Sequence, residues 1–159
     1  MQAFLASEID PTSFHGSAAL LERMEAEFEA CQREHRPVVL WRVAVDALER
    51  HAADDARKTA LLGALARLVA AFPRSGALYV AREGDALLVL STDTKPEAGD
   101  LAARLAIDGA RKLALPGAPA PVRASLSIGI ALSQPDLDLW FETLRRVAAD
   151  GAAVASTNG

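Results

Sequence analysis

Cysteine is almost missing from this chain. Among 159 residues Cys31 is the one thiol, so no disulfide framework can staple the fold. Basic charge is also in short supply: 17 Lys and Arg stand against 21 Asp and Glu, a formal net charge of -4. That balance lacks the surplus that advertises nucleic-acid binding, and no nucleic-acid partner is expected. The three histidines, His15, His35 and His51, show no metal-ligand spacing with one another or with Cys31, and each reads as an ordinary surface or loop residue. No metal site or cofactor is expected. No stretch approaches the roughly 18 apolar residues of a membrane span, and the N-terminal region has no basic start followed by an apolar run. Membrane insertion is therefore not expected, and the domain reads as cytoplasmic. Internal repeats, a Ser-His-Asp constellation and a glycine-rich phosphate loop are absent as well.

What is present is a globular composition, 51% hydrophobic and 24% charged. A domain of about this length hides roughly 70% of its unfolded surface. One domain over 17–159 is expected, after an entry segment over 1–16 punctuated by Asp10-Pro11. Leu20, Met24, Phe28 and Cys31 recur at helical spacing up to about Glu34, which predicts a first helix and a buried, unreactive Cys31. Residues 38–45 are β-branched and aromatic with only Arg42 charged, as in a central strand buried on both faces; Trp41 reads as core. Asp54 or Asp55 can cap a second helix with Leu61, Leu65, Leu68 and Phe72 on one face, stopped over 73–76.

Two apolar runs, 77–81 and 86–90, flank Arg82-Glu83-Gly84-Asp85, where Gly-Asp supplies the positive φ of a tight hairpin. Pro96 and Glu97 open a third helix with Leu101, Leu105 and Leu113 inward, and the Pro-rich run 115–121 must turn. Residues 122–132 alternate with period two, Val122, Ala124, Leu126, Ile128, Ile130 and Leu132 making one strongly apolar face. A last helix is predicted over 138 to about 149, followed by a loose Ala-rich end.

The order helix, strand, helix, strand, strand, helix, strand, helix predicts an α+β fold: a split βαβ arrangement with helices over one face of a mostly antiparallel sheet. Glu83-Gly84-Asp85-Ala86-Leu87, with Ser127-Ile128-Gly129-Ile130-Ala131 further on, resembles the active-site hairpin and final core strand of a GGDEF diguanylate cyclase domain, a nucleotide-cyclase palm of ferredoxin-like type. The resemblance is to a degenerate copy. Asp10-Pro11 with Thr12 is similar to an eroded family opening, and Ala44-Val45-Asp46 is similar to the Asp-x-Asp that ends the first strand. By that resemblance Ala44 stands where a metal-binding aspartate belongs, Asp46 fills the second acidic place, and His51-Ala52-Ala53-Asp54 lacks the Asn-Asp of guanine recognition. The family continues with a Gly-Asn pair and a short strand after the last helix, so the ending Asn158-Gly159 suggests a truncated C-terminal strand.

Joining two GTP molecules needs Mg²⁺ held by clustered carboxylates, and Ala44 and Ala86 remove two of them. Glu83 in the first glycine position adds bulk and negative charge, so it is expected to repel phosphate. Sliding the register by one puts Ala86 and Leu87 at both acidic positions, and the implied loss is the same. Arg74-Ser75-Gly76-Ala77 resembles an inhibitory Arg-x-x-Asp site for cyclic di-GMP with Ala77 replacing the aspartate; Arg74 also reads simply as a solvated helix end.

The resemblance therefore implies an inactive domain working as a protein-interaction or dimerisation module in bacterial signalling, with a protein partner or self-association. The alternative is a non-catalytic receptor for cyclic di-GMP or GTP using Arg74, Asp46 and Asp85. Asp85 without its acidic companions reads as a turn residue. Arg145-Arg146 reads as a solvated helix face, or as a contact for an acidic partner or phosphate. Trp140 and Phe141 cannot both point inward, which leaves one for a partner, and Leu20, Met24 and Phe28 suit either a signalling stalk or packing on the chain's own sheet.

Overall fold

In the computed structural model, described for residues 18–71, 76–93, 96–111, 113, 123–133 and 141–158, the elements follow the predicted alternation with one addition. They run α1 (Ala18–Arg33), β1 (Val38–Val45), α2 (Leu48–His51), α3 (Asp55–Ala70), β2 (Leu78–Glu83), β3 (Ala86–Thr92), α4 (Pro96–Ala110), β4 (Leu126–Leu132) and α5 (Phe141–Asn158). The four strands lie in the order β2-β3-β1-β4, and every neighbouring pair is antiparallel. This is an α+β fold with β1 central, as its apolar run implies.

Helices cover both faces of the sheet, not one. Val39, Trp41, Val43 and Val45 of β1 pack with Leu61, Leu62, Leu65 and Val69 of α3 and Ala106 and Ala110 of α4. Val38 and Leu40 point the opposite way, into Met24, Phe28 and Cys31 of α1 and Phe141, Leu144 and Ala148 of α5. A strand whose successive side chains are both apolar has two faces to bury, so a second helical layer is required. Met24, Phe28 and Cys31 are fully buried there, which assigns this stripe of α1 to the chain's own core.

Local chemistry explains the boundaries. Asp54, in extended conformation, caps α3 by accepting a hydrogen bond from the Arg57 backbone N–H at 2.8 Å. The short α2, which sequence periodicity does not reveal, opens at Ala47, held in the left-handed region at φ 51 and ψ 50. The hairpin between β2 and β3 closes over Gly84 and Asp85, with Glu83 paired to Ala86 across it. Gly84 takes φ +61, the positive angle that a two-residue turn requires.

Two expectations about the C-terminal half change. In β4 the apolar face is the less buried one: Leu132 is 40% exposed, whereas Ser127 and Ala131 on the other face are buried. Small residues on that face admit α5 at close range, so Gly129 lies directly beneath Ala148 and Ala152. The Ala-rich end is not loose either, since α5 runs through Asn158; its small residues, Ala148, Gly151 and Ala152, are what lie on β4. Of the last helix's aromatic pair, Phe141 is buried against Phe28, ring centroids 5.5 Å apart. Trp140, Phe72, Val122 and His15 lie outside the described residues, as do the side chains of Leu101 and Leu105.

Candidate functional site

Strand parity brings the residues of interest together. Even positions of β1 face α1 and α5, so beyond Leu40 the same face presents Arg42 and then Ala44. Antiparallel register sets Ala44 opposite Ala86 on β3 and opposite Ser127 on β4. The two positions singled out as lost carboxylates are thus direct cross-strand neighbours, whose β-carbons stand about 4.5–5.5 Å apart in such pairs. Both side chains are methyl groups, which offer no ligand atom to a cation.

Asp46 lies just past the end of β1. Its backbone N–H donates to the Ser125 carbonyl at 2.9 Å, and its Oδ1 accepts from the buried Ser127 hydroxyl at 2.6 Å. One carboxylate oxygen is therefore committed to positioning the strand ends.

Glu83 occupies the end of β2 beside this group, and its carboxylate is paired within the chain. Arg42 Nη1 donates to Oε1, and Arg145 Nη2, from α5, donates to Oε2. All three side chains are half-buried, at 25%, 25% and 34% exposure for Glu83, Arg42 and Arg145. A charge this far from water needs a partner, and each oxygen has one guanidinium. The Arg145 guanidinium also lies 5.7 Å from the centre of the Phe141 ring, one helical turn earlier. Its Nε is buried without a partner. The three-residue cluster carries a net single positive charge.

Asp85 projects from the turn, 53% exposed, 3.5 Å from Lys58 Nζ and 3.7 Å from Arg82 Nη2. Arg82 is 11% exposed and braces the turn. Its Nε donates to the Gly84 carbonyl at 2.8 Å, Nη1 to the Thr59 hydroxyl at 2.8 Å and Nη2 to Asp55 at 3.2 Å. The hairpin is thereby fastened to the start of α3, and Asp85 is a turn residue with cationic neighbours. Leu87 points to the other face and is fully buried in the α3 core.

Among the described residues, no group of three or more His, Cys, Asp or Glu could hold a metal ion, and no helix is long and apolar enough to cross a membrane. Arg74, named for a cyclic di-GMP site, lies outside the described residues.

Sequence reasoning missed Arg42 and the true partner of Arg145. For Arg42 the need was legible, since a lone charge inside a doubly buried strand must be neutralised; its partner was not, because Glu83 lies two strands away across the sheet. Of the basic pair in α5, Arg146 is exposed as expected, whereas Arg145 finds its acidic partner within the chain.

No family model and no curated protein matches the chain in sequence. Its fold has clear counterparts among solved structures. The GGDEF domain of FimX from Pseudomonas aeruginosa superposes with a TM-score of 0.75 at 22% identity, over 94% of this chain and 93% of that one. Diguanylate cyclase SiaD from Pseudomonas aeruginosa, solved in complex with its activator SiaC, gives 0.77 at 22% identity over 97% of this chain and 60% of that one. The GGDEF domain of DgcB from Caulobacter crescentus, in complex with c-di-GMP, gives 0.73 at 13% identity over 94% and 90%. Over nearly its whole length, therefore, the chain has the fold of a GGDEF diguanylate cyclase domain.

Proposed function

We propose that this chain is a GGDEF-type signalling domain that does not make cyclic di-GMP and works as a protein-interaction or dimerisation module in the bacterial cytoplasm. One observation carries the reading: Ala44 and Ala86 face each other across β1 and β3 at the end of the sheet, where the cyclase reaction would need carboxylates. Two triphosphates bring a large negative charge, and Mg²⁺ cannot be held to offset it by methyl groups. The neighbouring Asp46 supplies one carboxylate, already bonded to Ser127. A GGDEF-fold protein solved with an activator protein supports the protein-partner role.

A receptor for cyclic di-GMP or GTP is the second reading, favoured by the two arginines grouped at the same end of the sheet and by the DgcB complex with c-di-GMP. GTP turnover with Mg²⁺ or Mn²⁺ tests the first reading, calorimetric titration with GTP and with cyclic di-GMP tests the second, and sedimentation measures self-association. The proposal expects no product, no saturable nucleotide binding, and either a dimer or a specific protein complex. Cyclic di-GMP formation abolished by Asp85→Ala would overturn it.

A further inference from the structure

We infer that Glu83 is a built-in anionic plug: its carboxylate occupies a two-arginine site that would otherwise grip phosphate oxygens. The inference rests on the non-catalytic reading above and gives it a cause beyond the missing metal ligands.

Arg42 and Arg145 come from opposite parts of the chain, the central strand and the last helix, and meet on one carboxylate, each taking a different oxygen. Two guanidinium groups that each donate to a different oxygen of one anion offer charge-assisted hydrogen bonds to which carboxylate or phosphate oxygens are suited. Arg145 has a second contact besides Glu83, the Phe141 ring, whose centre lies 5.7 Å from the guanidinium. That ring is itself anchored in the core against Phe28. Arg42 leaves a strand hydrogen-bonded on both sides. Removing the carboxylate therefore leaves the donors preorganised and unsatisfied, with the buried Arg145 Nε already lacking a partner. A half-buried guanidinium that loses its counter-charge carries a desolvation cost that an external anion would relieve. While Glu83 is present, any incoming phosphate must displace a tethered carboxylate whose effective concentration is very high.

The test compares the full chain with Glu83→Gln and Glu83→Ala. Glu83→Gln keeps the side chain's shape and an acceptor oxygen while removing its charge, which guards against loss of the fold. Inorganic pyrophosphate and GTP are titrated separately by calorimetry, with far-UV circular dichroism confirming each fold. The wild-type chain is expected to bind neither, and each Glu83 variant to bind pyrophosphate with at least roughly tenfold gain in affinity. Arg145→Ala added to Glu83→Gln should abolish the gain. Equal affinities for the two ligands assign the site to phosphate oxygens alone, and tighter GTP binding assigns it to a nucleotide.

A folded Glu83→Gln chain that ignores both ligands, or a wild-type chain that binds as tightly as the variants, overturns the plug. Failure of the non-catalytic reading would appear separately, as cyclic di-GMP made by the wild-type chain.

Discussion

Gly129→Ala tests the close approach of α5 to β4, the tightest at any glycine among the described residues. A β-carbon built at Gly129 falls 1.7 Å from the Ala148 carbonyl oxygen and 2.4 Å from the Ala152 backbone nitrogen. Both are backbone atoms of α5, so no side chain can rotate away; the helix itself must retreat by more than about 1 Å. A gap of that size forfeits roughly a quarter to a half of each dispersion contact along the interface. Leu144, Ala148 and Ala152 would all lose packing at once. Overpacking a core costs about 1–3 kcal/mol, and an obstacle in the backbone belongs at the upper end. With about 2–4 °C of Tm per kcal/mol for a domain of this size, a fall of about 6–12 °C is expected.

Thermal unfolding followed by circular dichroism, with urea titration to check that the m-value is unchanged, supplies the measurement. Gly84→Ala is the control: nothing lies within 4 Å of its β-carbon, but φ is +61, so only the left-handed cost of about 1–2 kcal/mol applies. A fall under about 2 °C for Gly129→Ala would refute the close seating of α5 on β4.

Other outcomes follow from single residues. Ala47 sits at φ 51 beside Asp46, and Ala47→Gly should raise stability by about 0.5–1 kcal/mol, read by urea midpoint, since glycine accepts that conformation without strain. Arg36 grips Asp93 with Nε at 3.1 Å and Nη2 at 2.9 Å. Hydrogen bonds from that guanidinium hold the Asp93 carboxyl below its usual value of 3.8. The pair's stabilisation is thus present above the unfolded value and lost as pH falls through the lower folded one. Because Asp93 is 42% exposed, the effect is discounted to under about 1 kcal/mol. Asp93→Asn, which tolerates the local φ of 54, should flatten this part of the pH–stability curve.

Burial pushes the Cys31 thiol up to about 11 from 9.0. Cys31 therefore favours the folded state below pH 9 and loses that contribution as pH rises from 9 to 11. In the folded chain it should resist thiol reagents at neutral pH and react once urea exposes it. Restoring carboxylates with Ala44→Asp and Ala86→Glu together should create Mn²⁺ binding detectable by calorimetry, because the two positions are cross-strand partners; either substitution alone should bind more weakly.

Much of this architecture is written in short-range pattern. Two consecutive apolar parities over 38–45 require a central strand, the Leu20-to-Cys31 spacing requires a helix with a buried stripe, and Gly84-Asp85 between apolar runs requires a hairpin. These are consequences of period and turn stereochemistry, which neighbouring residues alone impose. The identity of Ala44, Ala86 and Glu83 was equally legible, and with it the absence of a carboxylate pair. What local pattern could not supply was partnership across the chain. Arg145 looked like a solvated helix residue because nothing nearby in sequence says that α5 lies over β4, close enough to meet Glu83 from 62 residues away. Gly129 and the Ala-rich end of α5 looked unremarkable for the same reason: small residues carry little hydrophobic signal, and their role is to admit another backbone. Charge neutralisation in a half-buried site and the close fit of helix on strand depend on distances between remote segments, and these exist only once the sheet has set its register and the helices have covered both of its faces.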